Sequence, residues 1–227
     1  MRPRRIALFL QSHWSHSCIH WRRDCNQRDL WHARRTRSIP NWRIIVMVLA
    51  TGRALLDPQV NLGRTALHEG MAYADFGAGT LGHFVFPASE IVGETGQVYA
   101  VDILKSALEA INGRSRMENV HNVKTIWGNI EKVGGVRIES NSLDLVSLVN
   151  MSSLLKKSPI ILDEIARVLK PGGQVLIIGW KPEGIPIVVL KKERVAPEEI
   201  QAVFEEKNFT LVEGFEAGPE HWGLLFA

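Results

Sequence analysis

From residue 71 to residue 226 the chain moves between two hydrophobic rhythms. Short, nearly continuous apolar runs occupy residues 71–74, 97–101, 123–127, 143–149 and 174–180. Their length and their Gly, Asn and Asp boundaries fit buried strands. Between them apolar residues recur at helical spacing. Phe84, Ala88, Ile91 and Val92 fall at i, i+4, i+7 and i+8, followed by Leu104, Leu108 and Ile111, and later by Ile161, Ile165 and Val168. A further helix starts near Pro197, with Glu198 and Glu199 matched to its N-terminal dipole and Ile200, Val203 and Phe204 facing inward. The last stretch differs. Residues 210–216, a Gly218-Pro219 turn and residues 222–226 read as an antiparallel pair, making seven strands. Strands alternating with helices predict an α/β fold: a mostly parallel sheet with helices on both faces.

The residues between the runs carry as much information. Gly77, Gly79 and Gly82 follow the first strand within six residues. A strand entering a helix through such a turn needs residues that tolerate positive φ and let a ligand approach bare backbone. The same turn also serves as a plain strand-to-helix connection, so its meaning depends on what lies downstream. Asp57-Pro58 pairs an N-capping carboxylate with proline at the first helical position and predicts a short helix. The apolar residues 44–49 predict a helix that opens the domain. Lys170-Pro-Gly-Gly173 predicts a stop to the helix that carries Val168. Asp75 and Gly77, Asp102, Asn129 and Asn150 stand where strands end, which is where sheets of this class bind ligands.

Composition changes the picture mainly at the N-terminus. Of 227 residues 45% are hydrophobic, enough for the core of one ordinary domain. Residues 1–43 hold ten arginines and two acids, a charge of +8, whereas the other 17 basic and 22 acidic residues leave the remainder at −5. The folded part therefore has no field that gathers nucleic acid. Both cysteines, four of the seven tryptophans and four of the eight histidines also lie in that first segment. A transit peptide fits its arginines but not its tryptophans, and residues 6–10 are too short an apolar core for a secretory signal. His13, His16, Cys18, His20 and Cys25 match no paired zinc-ligand spacing, and no metal site is expected. Residues 1–43 are read as a disordered or non-native extension, with Met47 as the native start, ahead of a domain spanning 44–227. A thiol-free core and the lack of a membrane-length apolar run set a cytoplasmic expectation.

Five motifs occur in a fixed order: Ala74-Asp-Phe-Gly-Ala-Gly79, Val98-Tyr-Ala-Val-Asp102, Gly128-Asn-Ile130, Leu143-Asp-Leu-Val146 and Val168-Leu-Lys-Pro-Gly-Gly173. With them the chain from about Leu55 onward resembles the class I S-adenosylmethionine-dependent methyltransferases. It looks most like the small bacterial methyltransferase-domain proteins akin to the ubiquinone/menaquinone-biosynthesis C-methyltransferases. The resemblance implies a Rossmann-like seven-stranded sheet, mostly parallel with an antiparallel last strand, and S-adenosylmethionine as cofactor. It implies that backbone amides of Gly77, Ala78 and Gly79 lie against the methionyl part, and that Asp75 hydrogen-bonds around its amino group. Asp102 would accept both ribose hydroxyls, in bonds strengthened by its charge. Ile103 and Ile130 would line the two adenine faces and Asn129 the adenine edge, while Val149 and Asn150 floor the pocket beneath the sulfonium.

Two departures from the family pattern stand out. Thr80-Leu81 delays the third glycine by one residue, which predicts a longer turn with Leu81 directed into the core or toward the substrate. Asn129 replaces a commoner aspartate. Methyl transfer from a sulfonium is an in-line displacement in which positioning supplies much of the acceleration. No residue declares itself as a base. His83, Lys181, Glu216 and His221 could face the pocket, but each reads better as something plainer: His83 as a helix-start polar residue, Lys181 and Glu216 as solvated strand ends, His221 as a turn residue. The acidic core makes a small-molecule acceptor the expected partner, and oligomeric state is not legible. Three other functions fit parts of the chain. Residues 91–102 with Lys181 and Glu216 also resemble fibrillarin-like RNA 2′-O-methyltransferases, although the first strand lacks that family's lysine. A nicotinamide-dinucleotide dehydrogenase would place its third glycine where Gly82 is. A cofactor-binding domain without catalysis is the third.

Overall fold

The computed structural model describes residues 55–183 and 194–227. The expected N-terminal extension with its His/Cys group, the helix over residues 43–49 and the start at Met47 lie outside the described residues. The described elements run α1 (Pro58–Leu62), β1 (Ala72–Phe76), α2 (Val85–Val92), β2 (Gln97–Asp102), α3 (Lys105–Met117), β3 (Val123–Trp127) and β4 (Leu143–Val149). They continue with α4 (Ser152–Lys157), α5 (Ile160–Val168), β5 (Leu169–Trp180), α6 (Pro197–Glu205), β6 (Leu211–Gly218) and β7 (His221–Phe226). The strands form one sheet in the order β3-β2-β1-β4-β5-β7-β6. Neighbours among β1–β5 are parallel, and β7 runs antiparallel to both β5 and β6. The chain builds outward from β1 to β3, then returns to the other side of β1 as β4. Strand order therefore reverses between β1 and β4, and their carboxyl ends flank a crevice.

Successive strand residues face opposite ways, so the sheet supports two apolar cores. On one face Tyr73, Val98, Leu145 and Leu176 pack with Leu62, Phe84, Val92 and Ile111 from α1–α3. On the other, Phe76, Val101, Val146 and Ile177 pack with Leu155, Ile161, Ile165 and Phe204 from α4–α6. Asp57 caps α1 as its position predicts, accepting from the amides of Gln59 at 2.9 Å and Val60 at 3.4 Å. At α6, Glu199 accepts from the Ala196 amide at 3.3 Å and pairs with Lys156 of α4. No helix among the described residues is long and apolar enough to cross a membrane.

The structure differs from the sequence expectation at four places. Leu104 does not share the buried face of Leu108 and Ile111; it precedes α3 and is 60% exposed. Leu81 is exposed, not in the core. The helix α4 lies where the sequence reading placed no element. And β5 begins at Leu169, with residues 170–173 swinging out as a bulge opposite Asp144, because Leu143 pairs with Leu169 but Leu145 pairs with Gln174. Lys170 anchors that bulge through its ammonium, 2.7 and 2.8 Å from the two Asp144 oxygens.

Candidate active site

The turn after β1 is built by the backbone. Gly77, Gly79 and Gly82 all have positive φ, at +85°, +62° and +56°. At Gly82 a Cβ would sit 2.9 Å from the Phe86 ring, so only glycine lets α2 start so close to the turn. At Gly79 a Cβ would meet nothing within 4 Å among the described residues, so among these it borders open space. Gly77 and Ala78 both donate to the Val101 carbonyl, at 2.9 and 3.0 Å, and Gly79 donates to Asp102 Oδ2 at 2.9 Å. All three amides are thus used at the end of β2. The close backbone approach at Gly79 remains open on the side away from these bonds. From outside, Arg114 of α3 donates to the Leu81 carbonyl at 3.0 Å and lies over the Phe86 ring at 3.8 Å.

Asp102 closes β2 with both oxygens engaged: Oδ1 accepts from the Leu104 amide at 2.8 Å and Oδ2 from Gly79. An ionised carboxylate has about four acceptor positions, so its capping role leaves room for further donors. Ile103 beside it is 57% exposed, and the Trp127 indole donates to the Ile103 carbonyl at 2.9 Å, fixing this rim segment. Across β3, Asn129 is exposed and its Oδ1 accepts from the Glu131 amide at 2.9 Å, which turns its NH₂ group outward as a donor. Ile130 is buried in the core with Val101 and Val136. Buried Glu164 of α5 shapes the following loop, accepting from Gly134 at 2.6 Å and Val136 at 3.0 Å while pairing with Arg167 at 2.8 Å. Burial pushes the Glu164 carboxyl up, but the Arg167 hydrogen bond and the two amides outweigh it and hold it below the usual range. Asn150 ends β4 in the left-handed region, φ +60°, donating to the Ile178 carbonyl at 2.7 Å.

Asp75 lies under the turn, 3% exposed. Ser147 Oγ donates to its Oδ1 at 2.8 Å, and the Tyr73 hydroxyl lies 2.5 Å from that Oγ. Burial pushes the Asp75 carboxyl up to about 7; the Ser147 bond works against this and the Asp102 charge adds to it. Burial likewise holds the Tyr73 hydroxyl well above its ordinary value. Sequence reasoning missed Tyr73, Ser147 and Trp127. The available signal was a serine inside the otherwise apolar end of β4.

At the β5–β7 side of the same edge, His221 is 2% exposed and its ring centroid lies 4.0 Å from that of Trp180. Among the described residues neither ring nitrogen has a partner in hydrogen-bond geometry. Burial pushes the imidazole down to about 4, the Leu55 backbone offsets part of this, and Lys181, Arg194 and His83 reinforce it. Lys181 pairs with Glu216 at 2.9 Å, and His83 Nε2 lies 2.8 Å from the Leu56 carbonyl. The structure therefore groups His83, Lys181 and His221, with Glu216 joined through Lys181. A cavity of about 300 Å³ lies elsewhere, beside the Lys170–Gly173 bulge and lined also by Lys207 and Phe209. Its two lysines are already paired, with Asp144 and Asp163, so size there comes without reactive groups.

An all-parallel dinucleotide-binding sheet has the order 3-2-1-4-5-6. Here an antiparallel strand is inserted beside β5, a glycine turn follows β1 and an acid ends β2. That combination defines a class I S-adenosylmethionine-dependent methyltransferase, and sets the dehydrogenase alternative aside. The chain belongs to the methyltransferase-domain family, whose model matches residues 67–222. It is 32% identical over 121 residues to the demethylmenaquinone methyltransferase of Lactococcus lactis subsp. lactis, covering 52% of this chain and 45% of the relative. It is 34% identical over 128 residues to the ubiquinone/menaquinone biosynthesis C-methyltransferase UbiE of Haemophilus ducreyi, covering 54% and 47%. The chain spans about half the length of the curated relatives it matches. Among solved structures it is similar to a SAM-dependent methyltransferase from Aquifex aeolicus, with 25% identity and a TM-score of 0.71, covering 81% of this chain and 96% of that one. In fold alone it is similar to geranyl diphosphate methyltransferase in complex with SAM, at 14% identity and a TM-score of 0.59, covering 74% and 82%. S-adenosylmethionine is the cofactor of this class. The open space at Gly79, the edge carboxylate of Asp102 and the exposed Ile103 suit such a molecule.

Proposed function

We propose that this domain transfers the methyl group of S-adenosylmethionine to a small-molecule acceptor. The observation that carries the reading is the assembly of a buried acid, an open glycine backbone and an edge carboxylate around the β1/β4 crevice. In this reading Asp75 receives the cofactor's amino group. Gly77, Ala78 and Gly79 border its methionyl chain with carbonyls and bare Cα, and Asp102 uses its remaining lone pairs for the ribose. Ile103 covers an adenine face. Asn129 donates its NH₂ to a ring nitrogen at the adenine edge, Ile130 supports the opposite side from the core, and Asn150 closes the floor with Val149.

The acceptor side is the β5–β7 end of the same edge, with His83, Lys181 and His221 as its polar groups; no general base is assigned. A reduced quinone ring is the acceptor class that the names of the relatives suggest, and the net −5 of residues 44–227 favours it over RNA. The test is a thermal-shift series followed by transfer assays. S-adenosylhomocysteine at a hundred times its dissociation constant should stabilise the protein by about 2.7 kcal/mol, and NAD should not. Labelled methyl should then pass to a demethylated quinol and not to RNA. Stabilisation by NAD alone would overturn the cofactor reading, and transfer to RNA alone the acceptor reading.

A further inference from the structure

Three buried oxygen-bearing side chains stand in line beneath the glycine turn. Tyr73 and Asp75 point to the same face of β1, two residues apart, and Ser147 is the Cα partner of Asp75 on β4. The three are 0%, 3% and 0% exposed in the order Tyr73, Asp75, Ser147. We infer that Tyr73 and Ser147 are positioning residues that hold Asp75 as an oriented acceptor for the cofactor's amino group, and that cofactor binding drives a proton off Asp75 into solvent. This rests on the reading that the amino group lies at Asp75.

Hydrogen accounting gives the chain a direction. Ser147 has one hydroxyl proton and donates it to Asp75 Oδ1, so its own oxygen must accept from Tyr73. With Asp75 ionised, every hydroxyl proton has an acceptor, and Oδ1 is fixed while Oδ2 makes no hydrogen bond among the described residues. A protonated Asp75 has one hydrogen too many. Either the chain reverses and leaves the Tyr73 hydroxyl without an acceptor, or the proton sits on Oδ2 and needs one there. The first outcome leaves a buried donor unpaired, which is costly, and the second puts a donor on the open face of Oδ2, where an arriving ammonium would meet it.

Burial pulls the other way. It lifts Asp75 to about 7, and the charged group that bears on it is Asp102 at the end of the neighbouring β2, which opposes a second negative charge, while Tyr73 on β1 stays a neutral hydroxyl. The apo carboxyl is therefore divided between two states near neutral pH, one favoured by hydrogen bonding and the other by desolvation. A primary ammonium arriving at Oδ2 supplies both the missing donor and the missing charge. It selects the carboxylate, and the displaced proton leaves.

Calorimetric titration of the wild-type protein with S-adenosylhomocysteine, which keeps the amino group, tests this between pH 5 and 7. Repeating each titration in two buffers of different ionisation enthalpy counts the protons exchanged. Release of about half a proton at pH 7 and nearly a whole one at pH 6 is expected, with affinity falling roughly tenfold from pH 6 to pH 5. Ser147→Ala removes a bond to the charged form, so the fall in affinity should begin at higher pH, and Ser147→Thr should restore it. Tyr73→Phe should move the profile the same way by a smaller amount. Tight binding with no proton exchange and a flat profile would overturn the inference and leave the proposed function standing. No binding at any pH would remove both. If a variant does not fold, the proton count on the wild type still decides.

Discussion

The two ends of the carboxyl edge each bury one titratable side chain, and they treat it in opposite ways. Beneath the β1 turn Asp75 has a donor on one oxygen and an open face on the other. At the β5–β7 end His221 is as deeply buried, yet neither nitrogen is hydrogen-bonded among the described residues, and its charged neighbours Lys181 and Arg194 are cationic. Desolvation drives both groups toward neutrality. The difference lies in what happens when a ligand brings charge: Asp75 has the hydrogen-bonded support to become an anion, whereas at His221 burial, Lys181, Arg194 and His83 oppose an imidazolium and the Leu55 backbone offsets only part of this. The first group suits a cationic partner. The second stays a neutral base.

The largest test of that contrast is Gly79→Val. The substitution fills open space at the cofactor end and forces a branched residue to φ +62°, so S-adenosylhomocysteine binding should vanish from calorimetry while far-UV circular dichroism stays near wild type. Full binding would mean the turn is only a connection.

Asp102→Ala should rank next. Loss of hydrogen bonds to a charged acceptor, at about 1.5–3 kcal/mol each, weakens cofactor binding by roughly one to three orders of magnitude. Because Asp102 also caps Leu104 and braces Gly79, urea denaturation should show a loss of about 1–2 kcal/mol as well. Asp102→Asn should fall between the two. Unchanged affinity in both variants would reduce Asp102 to a cap.

A third test separates the two buried groups by the sign of their pH dependence. His221 has a folded value of about 4 against 6.5 unfolded, so its contribution is lost as pH falls through that window, by about 2 kcal/mol at pH 5. Asp75 has a folded value of about 7 against 3.8, so its contribution is present at low pH and is lost as pH rises from there to about 7. The two windows overlap, so in the apoprotein the variants should change the slope of stability against pH in opposite senses between about pH 4 and 7: His221→Leu removes a rise of stability with pH, and Asp75→Asn removes a fall. If both variants changed the slope in the same sense, the contrast between the two ends would be wrong. The smallest effect belongs to Trp127→Phe, which removes one neutral hydrogen bond to the Ile103 carbonyl. It should weaken cofactor binding by a factor of about two to ten, and a larger loss would mean that the indole itself touches the ligand.

What the sequence spells out is what the backbone demands. Positive φ at Gly77, Gly79 and Gly82, an acid at the end of β2 and the Asp57-Pro58 cap are local requirements, each met by one residue type, and they were readable as such. The relay from Tyr73 to Asp75 was not, because it depends on register between strands 72 residues apart. Leu104 looked like a helix-face residue by spacing alone, but it stands before α3, extended, with its amide donating to Asp102. The helix α4 has only six residues, too few for periodicity to show. Residues 170–173 stop a helix as expected, yet they also lie within β5, bulged out opposite Asp144, to which Lys170 donates.

The three amides of Gly77, Ala78 and Gly79, held by the end of β2, have a thermodynamic consequence. The shape of the turn is set by protein groups, so it exists before any ligand arrives. Association then does not have to freeze a loop, and the ordering entropy that a mobile binding segment loses on contact is already accounted for in folding. A rigid template of this kind discriminates by fit: a molecule that does not match its contour cannot induce a better one.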